Sequence, residues 1–255
     1  MRIDALLFKE GVFPSRTKAT QAVSEGKVLY NGKPAKPSLD VDDLSRVTVL
    51  DKKDAFVSNG GYKLQKAIDD FKISVKGLSF ADIGASNGGF TDCLIKNGAS
   101  KVFAIDVGES QLDEALLNDS RVIVKDNTNA RYLTKNSLGE CVDGVTADVS
   151  FISLTYILDG VKSVLKPNGL ALLLIKPQFE CGKEYLGNSG IVKSAVAREN
   201  AVQKIYNACY EKGLYPINIT LAPLREKKNI EYVIMLKNGD KTESLSSYEI
   251  LNKIR

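Results

Sequence analysis

The chain has 255 residues, 44% hydrophobic and 26% charged, with a formal net charge of +4, enough apolar material for one large domain and a small companion. It contains no histidine, which excludes Ser-His-Asp triads, Cys-His dyads, histidine metal sites and imidazole acid–base chemistry. Its apolar runs are too short to span a bilayer, and Met1-Arg2-Ile3-Asp4 lacks the layout of a signal peptide. Cysteines 93, 141, 181 and 209 have no close spacing. They fit reduced thiols in the cytoplasm, with neither a disulfide framework nor a metal cluster.

The charge is unevenly placed. Residues 1–36 hold seven Lys/Arg against three acids, and the remaining 219 residues carry 28 of each sign. A compact basic module on a neutral body points to a polyanionic partner. Within it, Ile3, Leu6 and Leu7 share one helical face. Pro14-Ser15 breaks that helix, and Ser15 is placed to cap a second one over 16–25, which Gly26 ends. Residues 27–30 read as a strand turning at Asn31-Gly32, with a closing strand over 47–50. Arg16, Lys18, Lys27 and Lys33 cluster around the helix–hairpin junction and make a phosphate-facing surface. The order Arg2-x-Asp4, Ser15-Arg16-x-Lys18-Ala19, Gly26-x-Val28, Asn31-Gly32-Lys33 resembles the S-four RNA-binding domain over residues 1–50, which implies RNA contacts at Arg2, Ser15, Arg16, Lys18, Lys27 and Lys33. Residues 51–61, charged and closing on Gly60-Gly61, read as a linker.

From 62 to about 240, strand-like runs (79–83, 101–105, 121–124, 142–147, 169–175, 215–221, 231–236) alternate with amphipathic stretches (89–96, 153–165, 194–212). That alternation predicts an α/β domain with a doubly wound, Rossmann-like sheet and ligands at the strand carboxyl ends. The first run ends in Asp82-Ile83-Gly84-Ala85-Ser86-Asn87-Gly88-Gly89-Phe90. Gly84-x-Ser86-x-Gly88 matches a hydrolase nucleophile elbow, but without histidine the serine has no standard base. A dinucleotide fingerprint wants glycine where Ser86 stands. The loop suits S-adenosylmethionine (SAM), which needs a bent glycine turn but no pyrophosphate cradle. Asp106 is placed for ribose hydroxyls and Asp126 for the adenine amino group, so Asp82, Gly84, Ser86, Gly88, Gly89, Phe90, Asp106, Asp126 and Asp148 form the candidate cofactor set.

Four charges stand where a core-building chain would not place them. Lys63 follows the double glycine, Asp148 ends the fourth strand, Lys176 caps the very apolar Leu172-Leu173-Leu174-Ile175 before Pro177, and Glu231 opens the last strand. Burying an ammonium is costly unless it is paired, and two lysines with two carboxylates can satisfy one another as a purely structural cluster. Gly60-Gly61-Tyr62-Lys63-Leu64, residues 82–92, residues 147–154 and Ile175-Lys176-Pro177-Gln178-Phe179-Glu180, behind an S-four module, resemble the TlyA (hemolysin A) family. The catalytic half of that family is FtsJ-like.

That resemblance implies SAM-dependent 2′-O-methylation of cytidine ribose in ribosomal RNA within ribosomal subunits, with a Lys-Asp-Lys-Glu tetrad at Lys63, Asp148, Lys176 and Glu231. Shorter family members are associated with large-subunit RNA alone and longer ones with both, so this intermediate length leans to the large subunit. The chain departs from the family pattern at Ser58-Asn59, at 106–112, at 225–229, and in lacking a histidine near Arg198. Two other classes remain: a ribosome-assembly RNA-binding factor with a non-catalytic methyltransferase fold, and a membrane-lysing hemolysin. Residues 241–255 read as a tail with a short helix, started by the capping box Ser246-Ser247-Tyr248-Glu249.

Overall fold

The computed structural model describes every residue except 51–55, 110, 188 and 226. Helices α1 (Ile3–Lys9) and α2 (Arg16–Ser24) form where the apolar spacing places them. Ser15 caps α2 by accepting the Lys18 amide at 3.2 Å. Ile3, Leu6 and Leu7 pack with Ala19, Val23 and Val28 into a small core of their own. Strand β1 (Val28–Tyr30) turns through Asn31 and Gly32, at φ of 50° and 73°, into β2 (Lys33–Pro34). Two successive positive φ values are what a primed two-residue turn requires. Strand β3 (Val47–Val49) pairs antiparallel with the other edge of β1.

The linker expected over 51–61 ends early. Residues 51–55 lie outside the described residues, Phe56 is buried, and Ser58 accepts the Gly60 amide at 3.3 Å to cap helix α3 (Asn59–Phe71). Gly60 and Gly61 therefore sit inside the first turn rather than ahead of it. Gly61 is small by necessity, because a Cβ there would lie 2.4 Å from the Phe56 side chain. The basic module meets the body at this turn. The Ser24 carbonyl accepts from Asn59 Nδ2 (3.2 Å) and from the Arg225 guanidinium (3.3 Å), and the Gly26 carbonyl accepts the Tyr62 hydroxyl at 2.7 Å.

The body runs β4 (Ser79–Ile83), α4 (Gly89–Lys96), β5 (Lys101–Ile105), α5 (Glu114–Leu117), β6 (Val122–Lys125), α6 (Lys135–Leu138), β7 (Val142–Ala147) and α7 (Leu158–Val164). It continues with β8 (Leu165–Ile175), α8 (Pro177–Glu180), α9 (Ala195–Glu211), β9 (Leu214–Leu221), β10 (Tyr232–Asn238) and α10 (Ser247–Asn252). Seven strands form one sheet in the order β6-β5-β4-β7-β8-β10-β9. β4 to β8 are parallel, and β10 is antiparallel to both β8 and β9. Both faces are covered. Leu172 and Leu174 pack with Leu64, Phe90 and Leu94 of α3 and α4, while Leu173 and Ile175 pack with residues of α7 and α9. This is why the strands read as continuous apolar runs rather than alternating ones.

Residues 241–255, read from the sequence as a tail with a short helix, pack onto the body: Ile250 of α10 is fully buried in the core that includes Val202 and Ile205, and the Tyr206 hydroxyl donates to the Leu245 carbonyl at 3.0 Å. Asp82, taken from the sequence as a ligand contact, is fully buried. Its carboxylate accepts the Thr91 hydroxyl at 2.7 Å and the Thr146 hydroxyl at 2.9 Å. It ties β4 to α4 and β7 beneath the glycine loop. Burial, reinforced by the nearby Asp148 charge, pushes its carboxyl up to about 6, against the two threonine hydrogen bonds.

Ile250→Ala is expected to lower the unfolding free energy by about 2–5 kcal/mol, whereas Tyr248→Ala, at an exposed position, changes it by less than about 0.5 kcal/mol. Denaturant titration of both variants checks this. Asp82 holds its proton to higher pH in the folded chain than in the unfolded one. Its stabilising contribution is therefore present below about pH 4 and lost as pH rises through 6. Measured against Asp82→Asn, wild-type stability is expected to fall by about 3 kcal/mol between pH 4 and pH 7.

Candidate active site

The strand order reverses between β4 and β7, and the site lies at the carboxyl ends of the strands around that switch point. The β4–α4 loop is held open by its backbone. Gly84 is at φ +78°, and a Cβ there would come within 2.9 Å of the Asp148 carbonyl oxygen. Gly88 caps α4 at φ +91°, where a Cβ would collide with Leu116. Ser86 is also left-handed, at φ +49°, and its amide donates to Asp106 Oδ2 at 2.8 Å. Asp106 Oδ1 accepts the Gly108 amide at 3.2 Å.

Beside this loop is a cavity of about 570 Å³, whose lining includes Gly84, Ser86, Asp106, Thr128, Arg131 and Asp148. A smaller one of about 160 Å³ shares Gly84, Ser86, Asp148 and Ser150, and adds Gly89, Phe90 and Lys176. The structure thus brings Gly84, Ser86, Gly89, Phe90, Asp106 and Asp148 to the cavities. It does not bring Asp82, which lies beneath them, or Gly88, which shapes the turn. Asp126 is also absent from the lining. The chain turns at Asn127 (φ 51°), the Thr128 hydroxyl bonds back to the Asp126 carbonyl at 3.0 Å, and the segment from Thr128 to Arg131 faces the cavity instead.

The cavity meets the requirements of SAM. Its volume suits a nucleoside-sized ligand, its glycine loop carries no lysine or arginine to grip a pyrophosphate, and the carboxylates of Asp106 and Asp148 border it.

The four singled-out charges meet in one chain. Lys176 Nζ lies 2.5 Å from Asp148 Oδ1, Lys63 Nζ lies 3.8 Å from Asp148 Oδ2, and Lys63 Nζ donates to Glu231 Oε2 at 2.6 Å. None of the four side chains is more than 20% exposed. Each belongs to a different element. Lys63 is on α3, Asp148 follows β7 and Lys176 follows β8. Glu231 precedes β10, and because β10 is antiparallel its beginning lies at the ligand edge, with Tyr232 paired to Ile175. Ser150 accepts from Lys176 Nζ at 2.8 Å, and Gln178 donates to Glu231 at 3.3 Å. Both were unremarked in the sequence, and their places two residues after Asp148 and Lys176 were the available signal.

Phe151, next to Ser150 of the cavity lining, was not singled out in the sequence. It is 92% exposed, at φ +62°, with its ring 5.2 Å from that of Phe179. A bulky side chain in the left-handed region is strained, and such strain concentrates at functional sites.

In the basic module, Asp4 is nearly fully buried and receives Arg2 (3.1 Å), Arg16 (3.2 Å) and the Thr20 hydroxyl (3.0 Å). Burial raises its carboxyl, and the hydrogen bonds from Arg16, Thr20 and Arg2 together hold it below the usual range. Asp4 thereby fixes two arginines whose side chains stay about half exposed. Lys18 and Lys33 are exposed, whereas Lys27 is paired with Glu25 at 2.5 Å. Ser15 serves as the cap of α2.

Comparison with known proteins agrees with this arrangement. Residues 56–238 match the FtsJ-like methyltransferase model and residues 1–43 match the S4 domain. The 16S/23S rRNA (cytidine-2'-O)-methyltransferase TlyA of Mycobacterium tuberculosis is 40% identical over 92% of this chain and 89% of its own length. The 23S rRNA (cytidine-2'-O)-methyltransferase TlyA of Campylobacter jejuni is 31% identical over 91% of this chain and 97% of its own. A solved Streptococcus thermophilus structure, provisionally assigned as a hemolysin, is 34% identical with a TM-score of 0.75, covering 100% of this chain and 94% of that one. No helix among the described residues is long and apolar enough to cross a membrane. On these matches and this architecture, the chain belongs to the TlyA (hemolysin A) family, with an S4 module ahead of an FtsJ-like methyltransferase domain.

Proposed function

We propose that the chain transfers a methyl group from SAM to the 2′-hydroxyl of a cytidine ribose in ribosomal RNA, with large-subunit RNA as the favoured substrate. The observation that carries this reading is the Lys176–Asp148–Lys63–Glu231 chain, whose Asp148 lines both cavities and whose Lys176 lines the smaller one. The names of the Mycobacterium and Campylobacter relatives support the reaction class, and the Campylobacter name supports the large subunit.

In this reading the larger cavity holds SAM through the Gly84–Gly89 loop, Asp106 and Asp148. When bound there, SAM would supply a sulfonium-bound methyl that an oxygen nucleophile takes up in line, the carbon–sulfur bond breaking to leave a neutral thioether. Lys176 faces the smaller cavity, where it orients the ribose hydroxyl and, in its amine form, accepts the proton released as the new oxygen–carbon bond forms. Asp148 holds Lys176 from one side and Ser150 from the other. Lys63 and Glu231 extend the pairing so that no charge of the cluster is left uncompensated. Because the methyl is already activated, alignment and modest base assistance carry the rate. Arg2, Arg16, Lys18 and Lys33 grip RNA phosphates, and the outward ring of Phe151 supplies a stacking face for a base beside the ribose.

Tritiated methyl transfer from SAM to separated small and large subunits lacking the modification tests the proposal. Incorporation into large-subunit RNA, resistant to nuclease at the ribose and abolished by Lys176→Ala, is the expected result. No incorporation alongside tight RNA binding overturns it in favour of an assembly factor. Phe151→Ala is expected to raise the KM for RNA about tenfold through loss of a stacking contact worth about 1–3 kcal/mol, with SAM binding unchanged by equilibrium dialysis.

A further inference from the structure

Glu180 lies outside the four-charge chain, yet its side chain is only 1% exposed. Oε1 accepts the Leu154 amide at 2.7 Å, and Oε2 accepts the Ser153 hydroxyl at 2.5 Å and Lys204 Nζ at 3.0 Å. Leucine or methionine would fill this place without the desolvation cost of a carboxylate. What the carboxylate adds is direction.

Glu180 is one helical turn past Lys176, on α8, while Ser153 and Leu154 follow Asp148 by five and six residues. Backbone pairing between β7 and β8 stops at Ala147 and Leu173, so both charged residues stand beyond the ladder that aligns their strands. Two ties cross the gap near them, Lys176 to Asp148 and Lys176 to Ser150, and both use the Lys176 ammonium itself. A tie made by a reacting group loosens when that group engages a substrate hydroxyl. The Glu180 tie does not involve Lys176 and persists through that exchange. Lys204, on α9 next to the fully buried Ile205, anchors it to the core.

We propose that Glu180 is a positioning residue for methyl transfer, fixing the spacing of the loops that carry Asp148 and Lys176 through Ser153 and the Leu154 amide. The proposal rests on the catalytic reading given above.

The test is methyl transfer by the full chain to unmodified ribosomal subunits, with kcat and both KM values measured for wild type, Lys176→Ala, Glu180→Gln and Ser153→Ala. Glu180→Gln is expected to lower kcat by about 10- to 100-fold, the scale of a small misplacement of reacting groups, with the KM for SAM and for RNA within about threefold. Ser153→Ala, which removes one of the ties, is expected to give the same split with kcat lowered about three- to tenfold. Wild-type kcat in a folded Glu180→Gln protein, or a change confined to KM, overturns the proposal. Should Glu180→Gln fail to fold, wild-type kcat in Ser153→Ala overturns it instead. Loss of product in Lys176→Ala with activity in wild type upholds the catalytic reading independently, and an inactive wild type overturns both.

Discussion

One carboxylate, Asp148, lies within ion-pair distance of two ammonium groups, and the rest of the site is arranged so that it can be there. Its amide donates to the Ile83 carbonyl at 3.0 Å, which places it directly beside the end of β4. Its own carbonyl occupies the space that a side chain on Gly84 would need. The glycine at the start of the loop is therefore a condition for the position of the central acid of the charge chain, as well as for the bend of the loop. The glycine loop that borders both cavities and the central acid of the charge chain are a single packing unit.

The sheet contributes a second constraint. Parallel strands deliver only their final residues to the ligand edge, and three such ends bring Asp106, Asp148 and Lys176. A fourth contribution from the far side of β8 needs a strand running the other way. β10 does so, and Glu231 arrives at the edge as the residue before its first pairing, opposite the end of β8.

Much of this was readable because it depends on local chemistry. β4, β5 and β7 were delimited by short strand-like runs, and Ser15 and Ser246 announced two helices through capping. The glycine loop announced its positive φ values. What could not be read depends on which face an acid turns to. Asp82, next to last in β4, and Asp106, just past the end of β5, both follow short apolar stretches, yet one is buried under two threonines and the other borders a cavity. Asp126 stays out of the cavity lining, where the chain turns at Asn127 and presents Thr128 instead. The start of α3 was hidden by two glycines, usually breakers, of which Gly61 is required by tight packing against Phe56. The buried role of Ile250 followed from contacts far away in sequence, as did the antiparallel sense of β10.

The junction between module and body uses main-chain acceptors, the carbonyls of Ser24 and Gly26, met by Asn59, Tyr62 and Arg225. A carbonyl acceptor survives almost any substitution of the residue that bears it. The exposed surface of the basic module is thus free to drift in evolution without dissolving its seat on the body. Gly26 is the exception, because a Cβ there would strike the Tyr62 ring at 2.7 Å. A lineage can re-tune which RNA shape it grips, residue by residue, while the reach from that grip to the charge chain is inherited unchanged.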